Sequence, residues 1–83
     1  MHLIISEETQ RQYKRLPKHQ QQKIRKKLTA LSVSPYSGKK LEGKLKGRYS
    51  IRVWPYRIIY SINKSKNRLE VSAILHRQEA YKN

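Results

Sequence analysis

The arginines at positions 48, 52 and 57 are the residues best placed to do chemistry in this chain. They sit in Gly47-Arg48-Tyr49-Ser50-Ile51-Arg52-Val53-Trp54-Pro55-Tyr56-Arg57-Ile58-Ile59-Tyr60. From Arg48 to Val53 polar and apolar residues alternate, the mark of a half-buried strand. From Tyr56 to Ile62 a second strand places Tyr56, Ile58, Tyr60 and Ile62 inward and Arg57 outward. Pairing the two across a tight turn at Trp54-Pro55 brings Arg48, Arg52 and Arg57 onto one side of a sheet. Three guanidiniums on one rigid face repel each other unless an anion lies among them, so a phosphate-rich partner is expected. Arg57 is the leading candidate, because a guanidinium can grip two phosphate oxygens and stabilise a pentacovalent transition state. Its structural alternative is an edge arginine paired to Glu70 or Glu79. For Arg48 and Arg52 the alternative is phosphate or solvent contact without catalysis.

Other candidates surround this stretch. Lys39, Lys40, Lys44 and Lys46 precede it and suit RNA steering rather than chemistry. Trp54 at the turn can stack a base, pack on Tyr56 or anchor a partner. His76 has the reference pKa for acid–base work, or braces the site by a hydrogen bond. Tyr81 can serve as general acid or base among cations, stack on a base, or pack the tail onto the sheet.

The elements that must position these residues follow from periodicity and punctuation. His2 to Ile5 reads as a first strand. Ser6 is a candidate N-cap, with Glu7 and Glu8 opposing the positive end of the helix dipole. Thr9, Tyr13 and Leu16 make a thin apolar stripe. Pro17 suits the first position of a second helix running through Val33, with Ile24, Leu28 and Leu31 on one face. Pro35 to Lys46 reads as a loop and Asn63 to Asn67 as a turn. A last strand from Leu69 to Leu75 is expected to turn Leu69, Val71, Ala73 and Leu75 inward, with Ile74 and His76 beside Arg57. The tail from His76 to Tyr81 closes the chain. The result is an α+β domain spanning 1–83, ordered β-α-α-β-β-β, its helical hairpin packed on a mostly antiparallel four-stranded sheet. The expected core holds Tyr13, Ile24, Leu28, Leu31, Tyr49, Ile51, Ile58, Tyr60 and Val71.

Composition narrows the class. Against 20 Lys plus Arg stand 5 acids, all Glu, for a formal charge of +15 on 83 residues. That excess is far beyond what solubility needs and points to nucleic acid, an anionic membrane or an acidic protein. Cysteine is absent, which excludes disulfides and thiol chemistry and fits a reducing cytoplasm. Leu3-Ile4-Ile5 is too short for a membrane span. The three histidines have no metal-ligand spacing, so neither metal nor cofactor is expected.

In this order and at this length, the chain resembles the RelE/ParE superfamily of toxin–antitoxin toxins, most closely its RelE-like branch. The likeness rests on Leu45 to Tyr60, on His76-Arg77-Gln78-Glu79-Ala80-Tyr81, and on the Leu31-to-Pro35 exit from the second helix. The resemblance implies a ribosome-dependent mRNA endonuclease, an mRNA interferase that inhibits translation. Its substrate's own 2′-OH attacks the adjacent phosphate. By position it assigns catalytic parts to Arg52, Arg57, Arg77 and Tyr81. It also implies three partners: a cognate acidic antitoxin, mRNA in the ribosomal A site, and the ribosome itself. Three features depart from the pattern. Ser50 stands where some RelE-like enzymes carry a second catalytic lysine. Trp54-Pro55 replaces a Gly-containing turn. The chain ends two residues after Tyr81, without the further helix of some relatives. The ParE branch of the superfamily poisons DNA gyrase, so a non-catalytic gyrase poison, or a simple RNA-binding module, is the alternative.

Overall fold

Ser6 ends the first strand, β1 (His2–Ile5), and starts the first helix, α1 (Glu7–Lys14). Its Oγ accepts the Thr9 N–H at 3.2 Å, satisfying one of the donors a helix start leaves open. Glu7 and Glu8 in the first turn and Arg11 and Lys14 in the last complement the helix dipole. The computed structural model describes residues 1–80, with side chains over 1–78. The second helix, α2 (Lys18–Val33), begins one residue later than the sequence suggests: Pro17 is the N-cap, with extended ψ of 150°, not the first helical residue. Its carbonyl accepts the Gln20 and Gln21 N–H groups, so the ring sits where no N–H is needed.

Five strands form one sheet in the order β1-β5-β4-β3-β2. The hairpin of β3 (Arg48–Val53) and β4 (Tyr56–Asn63) is as the alternation requires, and β5 (Arg68–His76) pairs antiparallel with β4. The Asn63-to-Asn67 turn forms, Asn63 Oδ1 accepting the Lys66 N–H at 3.2 Å. β1 joins β5 in parallel, making the sheet mixed. The fifth strand, β2 (Lys39–Lys40), lies inside the expected loop; it pairs with Ser50 and Tyr49 of β3. A one-turn helix, α3 (Arg77–Ala80), follows β5 within the expected tail.

The core lies between α2 and one face of the sheet. Ile24, Leu28 and Leu31, spaced at i, i+4 and i+7, are buried against Ile58, Tyr60, Leu69 and Val71. Each such side chain contributes about 1.5–3 kcal/mol through burial. Tyr13, Tyr49 and Ile51 pack half-buried around it. Beyond the end of β1, Gln12 of α1 accepts the Ile74 N–H of β5 at 3.1 Å, so the helix takes over where the edge strand stops.

The last strand corrects the sequence reading. Ile59 pairs with Ala73 but Tyr60 with Val71, leaving Ser72 as a bulge whose Oγ donates to the Ile59 carbonyl at 3.1 Å. An extra residue reverses the alternation beyond it. Leu69 and Val71 face the core as expected, but Ile74 is the buried residue past the bulge, not Ala73 or Leu75. Leu75 instead lies opposite Arg57, and His76 opposite Tyr56.

Tyr60 fastens the loop to the sheet. Fully buried, it stacks on Tyr49 at 5.3 Å, donates to the Pro35 carbonyl at 2.9 Å and accepts the Gly38 N–H at 3.0 Å. Gly38 is required by this approach: a Cβ there would overlap the Tyr60 hydroxyl. Burial pushes the phenol above its ordinary pKa of 10.0, with a further rise from Tyr49, against a lowering by the Gly38 N–H. A raised folded value means that this contribution to stability is complete below the unfolded pKa of about 10 and is lost as pH rises through the folded one. Tyr60→Phe should therefore cost about 1–3 kcal/mol in urea denaturation near neutral pH, by leaving buried partners unmatched. The gap between wild type and variant should narrow above about pH 10; a constant gap would show that the phenol ionises alike in both states. Gly38→Ala should cost about 1–3 kcal/mol by overpacking.

Candidate nucleic-acid interface

The turn between β3 and β4 is held from two sides. Lys23 of α2 donates to the Trp54 carbonyl at 2.9 Å, and the Arg77 N–H donates to the Pro55 carbonyl at 2.7 Å. The Trp54–Pro55 bond within it is cis. Fixing this turn fixes the hairpin register, in which Arg52 lies directly across from Arg57. Cross-strand neighbours of this kind have Cβ atoms about 4.5–5.5 Å apart, and like charges there destabilise.

Two contacts shape the cluster. Arg57 is half-buried and donates from Nη1 to Ser50 Oγ at 3.0 Å, while Ser50 itself is only 3% exposed. Trp54, 52% exposed, has the Arg52 guanidinium 6.0 Å and the Arg77 guanidinium 5.1 Å from its ring centroid. Both fall within cation–π range. Arg52, Arg57, Trp54 and Arg77 thus gather at the turn end of the sheet. Arg57 is on β4, a central strand, not at an edge. Such an array, rigid and rich in donors, can hold a phosphate and stabilise added charge on it.

Other candidates fall elsewhere. Arg48 shares the outward face but lies four residues from Arg52, about 13 Å along the strand. It lines a concavity of about 1190 Å³ with Lys40 and Lys46. Lys39 is exposed on the arginine face, across from Ser50. Lys44 is exposed in a 3₁₀ turn between β2 and β3. His76 is not beside Arg57: the Ser72 bulge turns it to the other face, edge-on to Tyr56 at 5.5 Å, where its Nδ1 accepts the Gln78 N–H at 3.3 Å. Tyr81 lies outside the described residues. Two participants escape the sequence reading. Ser50 is expected on the polar face with Arg48 and Arg52, where some RelE-like enzymes carry a lysine, but its bond to Arg57 is not. Tyr36 is 52% exposed and follows a proline, and it packs edge-on to Tyr49 at 6.1 Å.

A family model of the ParE toxin of type II toxin–antitoxin systems, parDE, matches residues 3–81. The chain belongs to this toxin family. The expected kinship with the RelE/ParE superfamily rests on that match, and solved structures share the fold. The toxin is similar to the RelBE2 toxin–antitoxin complex of Mycobacterium tuberculosis, with a TM-score of 0.85 at 24% identity over 92% of this chain and 96% of that one. It is similar to the YoeB/ParE toxin of Agrobacterium tumefaciens, with a TM-score of 0.80 at 24% identity over 92% and 98% of the two chains. The isolated RelE toxin of E. coli gives 0.79 at 23% identity over 90% and 82%. At these identities the structures establish the fold. No curated protein sequence matches the toxin significantly.

The toxin's arginine cluster makes a measurable statement about anions. At constant ionic strength, millimolar inorganic phosphate should raise the melting temperature of the wild type, because a ligand bound only to the folded state stabilises it by mass action. Arg57→Gln should lose most of that rise. Equal rises in both proteins would place the anion elsewhere.

Proposed function

We propose that this toxin is a ribosome-dependent mRNA endonuclease. The observation that carries the proposal is the meeting of Arg52 and Arg57 across the hairpin, joined by Arg77 through Trp54. In the proposed reaction a ribose 2′-oxygen attacks the adjacent phosphorus and the bond from phosphorus to the 5′-oxygen breaks. The 2′-OH proton leaves to a base and the departing 5′-oxygen takes up a proton. The products are a 2′,3′-cyclic phosphate and a 5′-hydroxyl. Arg57 grips the non-bridging oxygens, where charge grows in the transition state, and Arg52 and Arg77 hold the flanking backbone. Trp54 presents its exposed ring to a base. Proton transfer is the part proposed for Tyr81, on the resemblance alone. With His76 turned to Tyr56, the geometry of the reacting strand has to come from outside the toxin. The ribosomal A site would supply it by holding the mRNA in line for attack.

The proposed partner in the resting state is an acidic antitoxin. Similar structures include toxin–antitoxin complexes, among them an archaeal RelE–RelB complex from Pyrococcus horikoshii. A charge of +15 makes association with such a partner fast and salt-sensitive. Among the described residues no helix is long and apolar enough to cross a membrane.

A second reading, a gyrase poison, is favoured by the ParE description of the matching family model and by serine, not lysine, at position 50. The deciding experiment is translation of a defined mRNA in a purified system, followed by primer extension. Cuts should appear only with ribosomes present, and Arg57→Ala should reduce them about 100-fold or more. Intact mRNA beside folded toxin would overturn the nuclease reading, and supercoiling by gyrase would then be assayed.

A further inference from the structure

The concavity at the other end of the sheet has a composition that phosphate binding does not explain. It lies between the loop preceding β3 and the β4–β5 turn, some 13 Å along β3 from Arg52. Arg48, Lys46 and Lys64 line it, as a groove for a polyanion requires. Glu42 and Glu70 line it as well. The chain has only five acids, and a surface evolved for phosphates alone would exclude them from its groove. Tyr36, half-exposed, lines it against Tyr49 of the inward row, whereas Glu70 stands in the outward row with Ser61 and Arg48. Its ring is held edge-on by Tyr49 at 6.1 Å, with the Lys64 ammonium 5.8 Å from its centroid. Gly47, with φ of 92°, turns the chain from the loop into β3 and leaves the wall open, with nothing within 4 Å of where a Cβ would stand.

An exposed aromatic ring among cations is a stacking platform for a nucleobase whose flanking phosphates need neutralising. A carboxylate beside such a platform meets a base edge, not a phosphate. Guanine is the base whose Watson–Crick edge offers two adjacent donors, N1–H and the N2 amino group, matching the two oxygens of one carboxylate. Adenine and cytosine pair one amino donor with a ring acceptor that a carboxylate repels. We propose that this concavity binds a guanine of single-stranded RNA, stacked on Tyr36, read by Glu42, with Lys46, Arg48 and Lys64 on the neighbouring phosphates. The choice of RNA rests on the nuclease reading above. The guanine site itself would give the toxin a base preference at a distance from the bond it cuts.

The test is equilibrium binding without ribosomes, so it stands whether or not the toxin cleaves. Fluorescein-labelled uridine hexamers carrying one internal G, A or C are titrated with the toxin and followed by anisotropy. The G hexamer should bind about tenfold more tightly than the other two. Glu42→Gln, which preserves shape, should erase that preference, and Glu70→Gln, on the opposite face, should leave it. Tyr36→Ala should weaken all three hexamers. In an Arg57→Ala background the G preference should persist, which separates this site from the arginine cluster. Equal affinity of wild type for the three hexamers, as a surface built for a protein partner would give, overturns the proposal. So does a G preference that survives Glu42→Gln.

Discussion

The phenol of Tyr60 is where the sheet, the helical core and the loop before β2 are held together. Its ring is buried under α2 beside Ile58 and Val71, and its hydroxyl joins Pro35 to Gly38. Because strand side chains alternate, seating Tyr60 inward leaves no choice for its neighbours: Ile58 follows it inward, and Arg57 and Ile59 point away. A slip of one residue would expose Tyr60 and bury a guanidinium, a change that several kcal/mol of lost burial and desolvation forbid. The outward direction of Arg57 is therefore a consequence of core packing three residues away. The same seat fixes β3 through the Tyr49–Tyr60 pair, and so places Arg52 opposite Arg57.

That placement opposes electrostatics. Two guanidiniums face each other across a hairpin in a chain of net charge +15. Part of the strain is relieved locally: Arg57 is drawn toward buried Ser50, while Arg52 is drawn toward Trp54. The polar hydroxyl at position 50 thus has a structural meaning beyond the absence of a lysine, because a fourth cation there would stand on the same face between Arg48 and Arg52. The turn carrying Trp54 is itself tied to α2 and α3, so the aromatic platform cannot swing away from the cations it spreads. A cluster assembled against its own repulsion is preorganised for an anion, which need not reorganise it on arrival.

Where local chemistry decided the structure, it was legible in the sequence. Ser6 with Glu7 and Glu8 marked a helix start, Ser34 before Pro35 marked a helix end, and the clean alternation of Arg48 to Val53 marked a strand. Legibility failed where alternation was lost. Val71-Ser72-Ala73-Ile74-Leu75 is apolar or small on both parities, so nothing local announces a bulge; it follows from fitting Ile74 into the core against α1. His76 went to the wrong face for that reason alone. β2 carries two exposed lysines and no apolar pattern, and exists because the free edge of β3 at Tyr49 and Ser50 offers it backbone partners. Within the arginine cluster, the parities of Arg52 and Arg57 were readable, but the joining of Arg77 to them through Trp54 was not. It depends on a backbone bond from Arg77 to Pro55, 22 residues apart in sequence.

The division of the surface follows from the same parity argument. Inward positions on β3 and β4 are committed to packing, so they fix the fold and say nothing about the target. Outward and end positions carry the groups that could meet a target: the arginines with Ser50 among them, the exposed Trp54 ring at the turn, and Tyr36 at the other end. A sheet about 20 Å long presents its two ends as separate surfaces, each with its own aromatic ring and its own cations. What this toxin acts on is written in the outward half, where a single substitution changes chemistry without disturbing the packing beneath it.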